Sequence, residues 1–107
     1  MKITGIPIFS SLLLGLMTVA CSNGDAGSGQ ARAVTCQACH GGNGMHTTSN
    51  TPRLAGQSQQ YIAKQLRDFR DGRRSNPTME PLAKSLNNDQ IDDLAAYFES
   101  QDVCAAP

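Results

Sequence analysis

Apolar positions along this chain fall into two regimes. Residues 3–20, "ITGIPIFSSLLLGLMTVA", are almost continuously apolar, with Lys2 the only charge before them. Beyond them the apolar residues are spaced rather than continuous. In "SQQYIAKQLRDFRD", residues 58–71, Ile62, Leu66 and Phe69 recur at helical intervals and Gly72 closes the run, which predicts a helix. Ile91, Leu94, Ala95 and Phe98 form a second stripe. Asn87 opens it, and Gln90 follows in the spacing of a capping box. Residues 31–38 read as a short helix, stopped by Gly41, Gly42 and Gly44. Residues 45–56 contain Pro52 and Gly56 and read as a loop. Residues 73–81 are irregular, with prolines at both ends of "PTMEP", and residues 82–86 suit a turn of helix. No segment alternates as a strand does. The pattern predicts an all-α domain of three to five short helices.

The first apolar run does not belong to that domain. A charged start, an apolar stretch and small residues ahead of a cut site describe a secretory signal. The run is marginal for a membrane span, which takes about 20 apolar residues, and a retained anchor is the alternative. "LMTVAC" looks like a bacterial lipobox, with Thr18 where that pattern has Leu. Cys21 is therefore the candidate lipidation site. The Gly/Ser/Asn/Asp-rich stretch that follows reads as a flexible tether. The expected organisation is a signal at 1–20, a tether at 21–30, a folded domain at 31–103 and a tail at 104–107.

Such a domain is small. Its core supplies about 3–5 kcal/mol unaided, it has no Trp, and its aromatics are Tyr61, Phe69, Tyr97 and Phe98. It needs a staple. The cysteines are Cys21, Cys36, Cys39 and Cys104. With Cys21 lipidated the remainder is odd in number, which makes a disulfide framework a poor staple. The sequence offers no role for Cys104.

"TCQACHGGNG" supplies a better one. Residues i, i+3 and i+4 share one helix face, which sets Cys36, Cys39 and His40 side by side. Two thiols in that spacing add to the two vinyl groups of a macrocycle, and the imidazole reaches its metal. This is the logic of covalent c-type haem attachment. The competing uses are a thioredoxin-like redox pair, which wants a βαβ setting, a zinc site completed by His46, and a local Cys36–Cys39 disulfide. For the second axial position, Met45 and His46 follow His40 too closely to pass around the ring. Met79, held between Pro77 and Pro81 in a loop expected to be extended and stiff, is the candidate. A gap-filling core methionine is its ordinary alternative.

"CQACHGGNG", "TPRLAGQSQQYIAKQLRDFRDG" and "NPTMEPLAKSLNNDQIDDLAAYFESQ" resemble, in that order, the class I c-type cytochromes. The likeness is to the small bacterial monohaem type and to one half of the dihaem periplasmic cytochromes. The resemblance implies the cytochrome c fold around one covalent haem c, bound by Cys36, Cys39, His40 and Met79. It also implies that the carbonyl of Pro52 accepts the imidazole proton of His40. Arg53 becomes a candidate partner for a haem propionate. Tyr97 and Phe98 fall on the C-terminal helix that crosses the N-terminal one.

An iron with both axial positions filled has no site for substrate. The expectation is therefore a one-electron carrier rather than an enzyme, lipid-anchored on the periplasmic side of a bacterial envelope. It would exchange electrons with membrane complexes or with a terminal oxidase or reductase, and has no nucleic-acid partner. The alternatives are a ligand-binding haem protein and a haem subunit of a larger oxidoreductase or sensor complex. Nine basic and nine acidic residues leave no net charge. They are unevenly spread: Lys64, Arg67, Arg70, Arg73 and Arg74 crowd one segment, while Asp89, Asp92, Asp93, Glu99 and Asp102 crowd the next. The first group is a candidate landing site for an acidic partner.

Overall fold

In the computed structural model, residues 23–46 and 48–104 are described. They form α1 (Ala26–His40), a short 3-10 turn (Gly42–Gly44), α2 (Gln59–Arg70), α3 (Met79–Lys84) and α4 (Asn88–Glu99). Among the described residues there is no strand, only an isolated bridge between Thr48 and Thr51. The expected signal at 1–20 and Cys21 lie outside these residues. Within them no helix is long and apolar enough to cross a membrane.

The capping signals act where the sequence places them. Ser58 Oγ accepts the Tyr61 N–H and starts α2. Asn87 and Gln90 form a reciprocal capping box at 2.9 and 3.0 Å and start α4. Gly41 ends α1 at φ 80°, its N–H donating to the Gln37 carbonyl at 2.9 Å. Only a glycine adopts that conformation without strain.

α1 is longer than expected and takes in residues 26–30, read from the sequence as tether. From Ala26 onward the stretch expected to be flexible is helix. Two causes are visible. Asp25 is an N-cap whose carboxylate accepts the N–H groups of Gly27 and Ser28 at 3.1 and 3.2 Å. Its own N–H donates to Asp93 at 2.7 Å, docking the start of α1 on α4. Gly29 then permits close crossing. A Cβ there would stand 2.0 Å from the Asp93 carbonyl oxygen and 2.8 Å from Tyr97 Cβ.

The α1–α4 crossing is the most extensive contact of the fold. Gly29, with no side chain, lets α1 approach Tyr97, and Ala33 shares the core with Tyr97 and Phe98. Ile91, Leu94 and Ala95 of α4 meet Ile62 and Ala63 of α2 in the same core. Arg67 and Asp92 pair at 2.6 Å and tie α2 to α4. Tyr61, by contrast, is half exposed. α3 is carried by α2.

Candidate functional site

Cys36, Cys39 and His40 occupy the last turns of α1. Cys36 is half-buried against the core and Cys39 is exposed. Both are free thiols. Burial pushes the Cys36 thiol above its ordinary pKa. His40 is 7% exposed. Its Nδ1 lies 2.7 Å from the carbonyl oxygen of Pro52. A carbonyl only accepts, so Nδ1 carries the proton of this bond; in the neutral ring the lone pair is then on Nε2. A neutral imidazole in that tautomer, oriented by an outward hydrogen bond, is the form in which histidine binds a metal.

The Pro52 carbonyl is held from both sides. Before it, Thr48 and Thr51 exchange backbone hydrogen bonds at 2.9 and 3.3 Å. After it, the N–H groups of Leu54 and Ala55 donate to the Gly44 carbonyl at 2.9 and 3.1 Å, and that of Gly56 donates to the Phe98 carbonyl at 2.8 Å. The segment presenting the acceptor is thus fastened to the turn after His40 and to α4.

Met79 is half-buried at the start of α3. The bracketing prolines do not hold an extended loop: Pro77 lies in a turn and Pro81 in the first turn of α3. Asn76 Oδ1 accepts the N–H groups of both Thr78 and Met79 at 2.9 Å. The Glu80 carboxylate reaches back to the Asn76 N–H at 2.9 Å and to the Ser75 hydroxyl at 2.8 Å. The Glu80 N–H donates to the Asn76 carbonyl at 3.0 Å. The Asn76 side chain therefore closes the turn that leads into α3, and Pro77 lies within that turn, ahead of the first helical residue Met79. The Ser75 hydroxyl, then the Asn76 amide, lower the Glu80 pKa.

The structure brings together Cys36, Cys39, His40 and Pro52. Arg53 is exposed beside them. Met45 is half-buried and His46 exposed in the turn that follows His40. Among the described residues, no three His, Cys, Asp or Glu side chains converge on a metal-sized site. Among the described residues Cys36 and Cys39 are not paired with each other, and no βαβ unit is present for a thioredoxin-like pair. Two free thiols and an imidazole with its Nε2 lone pair free, spaced along one helix face, fit covalent haem.

Sequence reasoning missed three contributors. Gly29 was hidden by the linker-like composition around it, although Gly29 and Ala33 already lie one helical turn apart. The Asn76–Glu80 cap was hidden behind the prolines. The Tyr97 hydroxyl, read only as part of a packed aromatic, accepts from Gln37 Nε2 at 3.1 Å and donates to Asn43 Oδ1 at 2.9 Å. The basic cluster is also less available than expected. Lys64 and Arg73 both bind Asp68 and hold its carboxyl below the usual range. Arg67 pairs with Asp92, Arg70 with Asp71 and Asn88, and the Arg74 guanidinium lies 4.5 Å from the centre of the Phe69 ring.

Residues 25–102 match the family profile described as cytochrome c. The chain is similar to cytochrome c4 of Pseudomonas aeruginosa, 46% identical over 90 residues that cover 84% of this chain and 45% of that protein. It thus spans less than half the length of that relative. It is also similar to cytochrome c-554(548) of Halomonas halodenitrificans, 39% identical over 82 residues, covering 74% of this chain and 99% of that one. Among solved structures, thiosulfate dehydrogenase of Marichromatium purpuratum superposes with a TM-score of 0.73 at 35% identity, covering 79% of this chain and 21% of that one.

Proposed function

The chain belongs to the cytochrome c family and carries covalent haem c, and on that premise we propose that it is a one-electron carrier with His40 and Met79 as axial ligands. When bound, the haem supplies the Fe(III)/Fe(II) couple. Cys36 and Cys39 would hold it as thioethers, and His40 and Met79 would bind its iron. Methionine opposite histidine raises the potential of such a centre. The observation that carries the reading is the buried His40 imidazole, whose Nδ1–H is committed to Pro52 so that Nε2 is offered to a metal. Arg53, exposed beside Pro52, is a candidate to neutralise a propionate.

The test is spectroscopic. Haem should stay on the protein through acid–organic extraction, and the oxidised protein should show the red charge-transfer band of a methionine-bound ferric centre. Haem that extracts freely contradicts the attachment; absence of the band contradicts the Met79 ligand.

The carrier reading extends to location and partners. Residues 1–20 would export the chain to the periplasmic side of a bacterial envelope. Lipid on Cys21, followed by a short tether, would leave the domain to swing between membrane complexes or towards a terminal oxidase or reductase. An acyl anchor of more than one chain is strong enough for that. Cys21→Ala should release the protein from membrane fractions; identical fractionation would discard the anchor. A second reading, a haem subunit of a larger oxidoreductase, is favoured by the match to part of a thiosulfate dehydrogenase. Co-purification in fixed stoichiometry with a larger chain would select it.

A further inference from the structure

The Tyr97 hydroxyl sits where two segments of the attachment site meet the helix that crosses them. It accepts from Gln37, which lies between Cys36 and Cys39, and donates to Asn43, three residues past His40. Tyr97 is 5% exposed, so the loss of either partner leaves a buried polar group short of a bond. Asn43 is the only described non-glycine residue at positive φ, 55°. Asn tolerates that left-handed region better than most side chains, and its own side chain is held by Tyr97. The next residue, Gly44, accepts the N–H groups of Leu54 and Ala55. That segment also presents the Pro52 carbonyl to His40.

A continuous path of hydrogen bonds and short backbone therefore runs from α4 to the imidazole proton: Tyr97, Asn43, Gly44, Leu54, Pro52, His40. We propose that the Tyr97 hydroxyl is a positioning residue for His40, keeping the Pro52 carbonyl in register with the imidazole. Its role goes beyond filling the α1–α4 interface, for which the ring alone suffices. The inference rests on His40 being the haem ligand.

The experiment compares wild type, Tyr97→Phe and Asn43→Gly as reduced holo-proteins by NMR, following solvent exchange of the His40 Nδ1 proton against that of the Leu94 amide. Phe keeps the ring and removes the hydroxyl; Gly keeps the left-handed turn and removes the acceptor. Each variant should speed His40 exchange relative to Leu94 by about fivefold, the factor for one net hydrogen bond. The double variant should add little, since both changes cut the same link. Should His40 and Leu94 exchange accelerate together, Tyr97 only stabilises the fold and the inference is overturned. A His40 resonance unshifted by haem in the wild type itself would instead overturn the ligand reading, and the inference with it.

Discussion

The two residues assigned to the iron are held by opposite means. His40 is buried, and its orienting partner, Pro52 in the loop after α1, is fastened through its neighbours to Gly44 and to α4. Met79 is held by hydrogen bonds that all fall between Ser75 and Glu80, in a stretch exposed up to Thr78. A ligand fixed by tertiary contacts moves only when the domain opens. One fixed by a local cap can move with a single turn, because short solvent-exposed elements open at low free energy. On the proposed ligation, a rigid histidine would be paired with a methionine whose retention depends on a few neighbouring residues.

The largest expected effect removes the covalent anchor of the rigid half. Cys36→Ser with Cys39→Ser should leave a chain from which acid–organic extraction recovers all the haem. Next comes the exchangeable half: Met79→Ala should abolish the red charge-transfer band, lower the potential and let carbon monoxide bind the reduced protein. His40→Ala should not be equivalent, because it also leaves the Pro52 carbonyl unpaired.

Changes further from the iron sharpen the contrast. Gly29→Val forces a side chain into the α1–α4 crossing and should cost about 3 kcal/mol, at the upper end for overpacking, read from denaturant midpoints. Asn76→Ala should cost only about 1 kcal/mol, the usual loss for a cap. Yet it should speed carbon monoxide binding to the reduced protein several-fold, since it loosens Met79 directly. Gly29→Val should show the reverse balance, a large stability loss with little change in that rate at temperatures where the protein stays folded.

The smallest effect is electrostatic. The carboxyl of Asp68 has its pKa lowered from 3.8 by hydrogen bonds from Lys64 and Arg73. A depressed carboxylate stabilises the fold above its unfolded pKa and loses that contribution as pH falls through the folded value. Asp68→Asn should therefore weaken the protein slightly near neutrality and not at all at the acid end, a difference visible in melting temperature against pH.

What the sequence discloses follows the same division. Cys36, Cys39 and His40 are legible because their relation is set within one helical turn. So is the Asn87–Gln90 cap, whose members are three residues apart. Pro52 is legible only through resemblance, since nothing local shows that its carbonyl meets an imidazole. Gly29 is misread because its neighbours have linker composition, and only contact with α4 turns residues 26–30 into helix. The Arg67–Asp92 pair depends on α2 lying against α4, so a basic stretch that looks free along the chain is engaged in the fold. Asn76 was readable, as an Asn–Pro step followed by Glu80. The second proline drew the reading towards an extended loop.

The most direct test is to expose the reduced wild-type protein to carbon monoxide while recording its visible spectrum. An iron closed by His40 and Met79 predicts an unchanged spectrum on mixing, with slow binding at most, limited by Met79 release. Immediate, complete formation of a carbon monoxide adduct would show an open axial position. It would contradict the reading of this protein as a dedicated electron carrier.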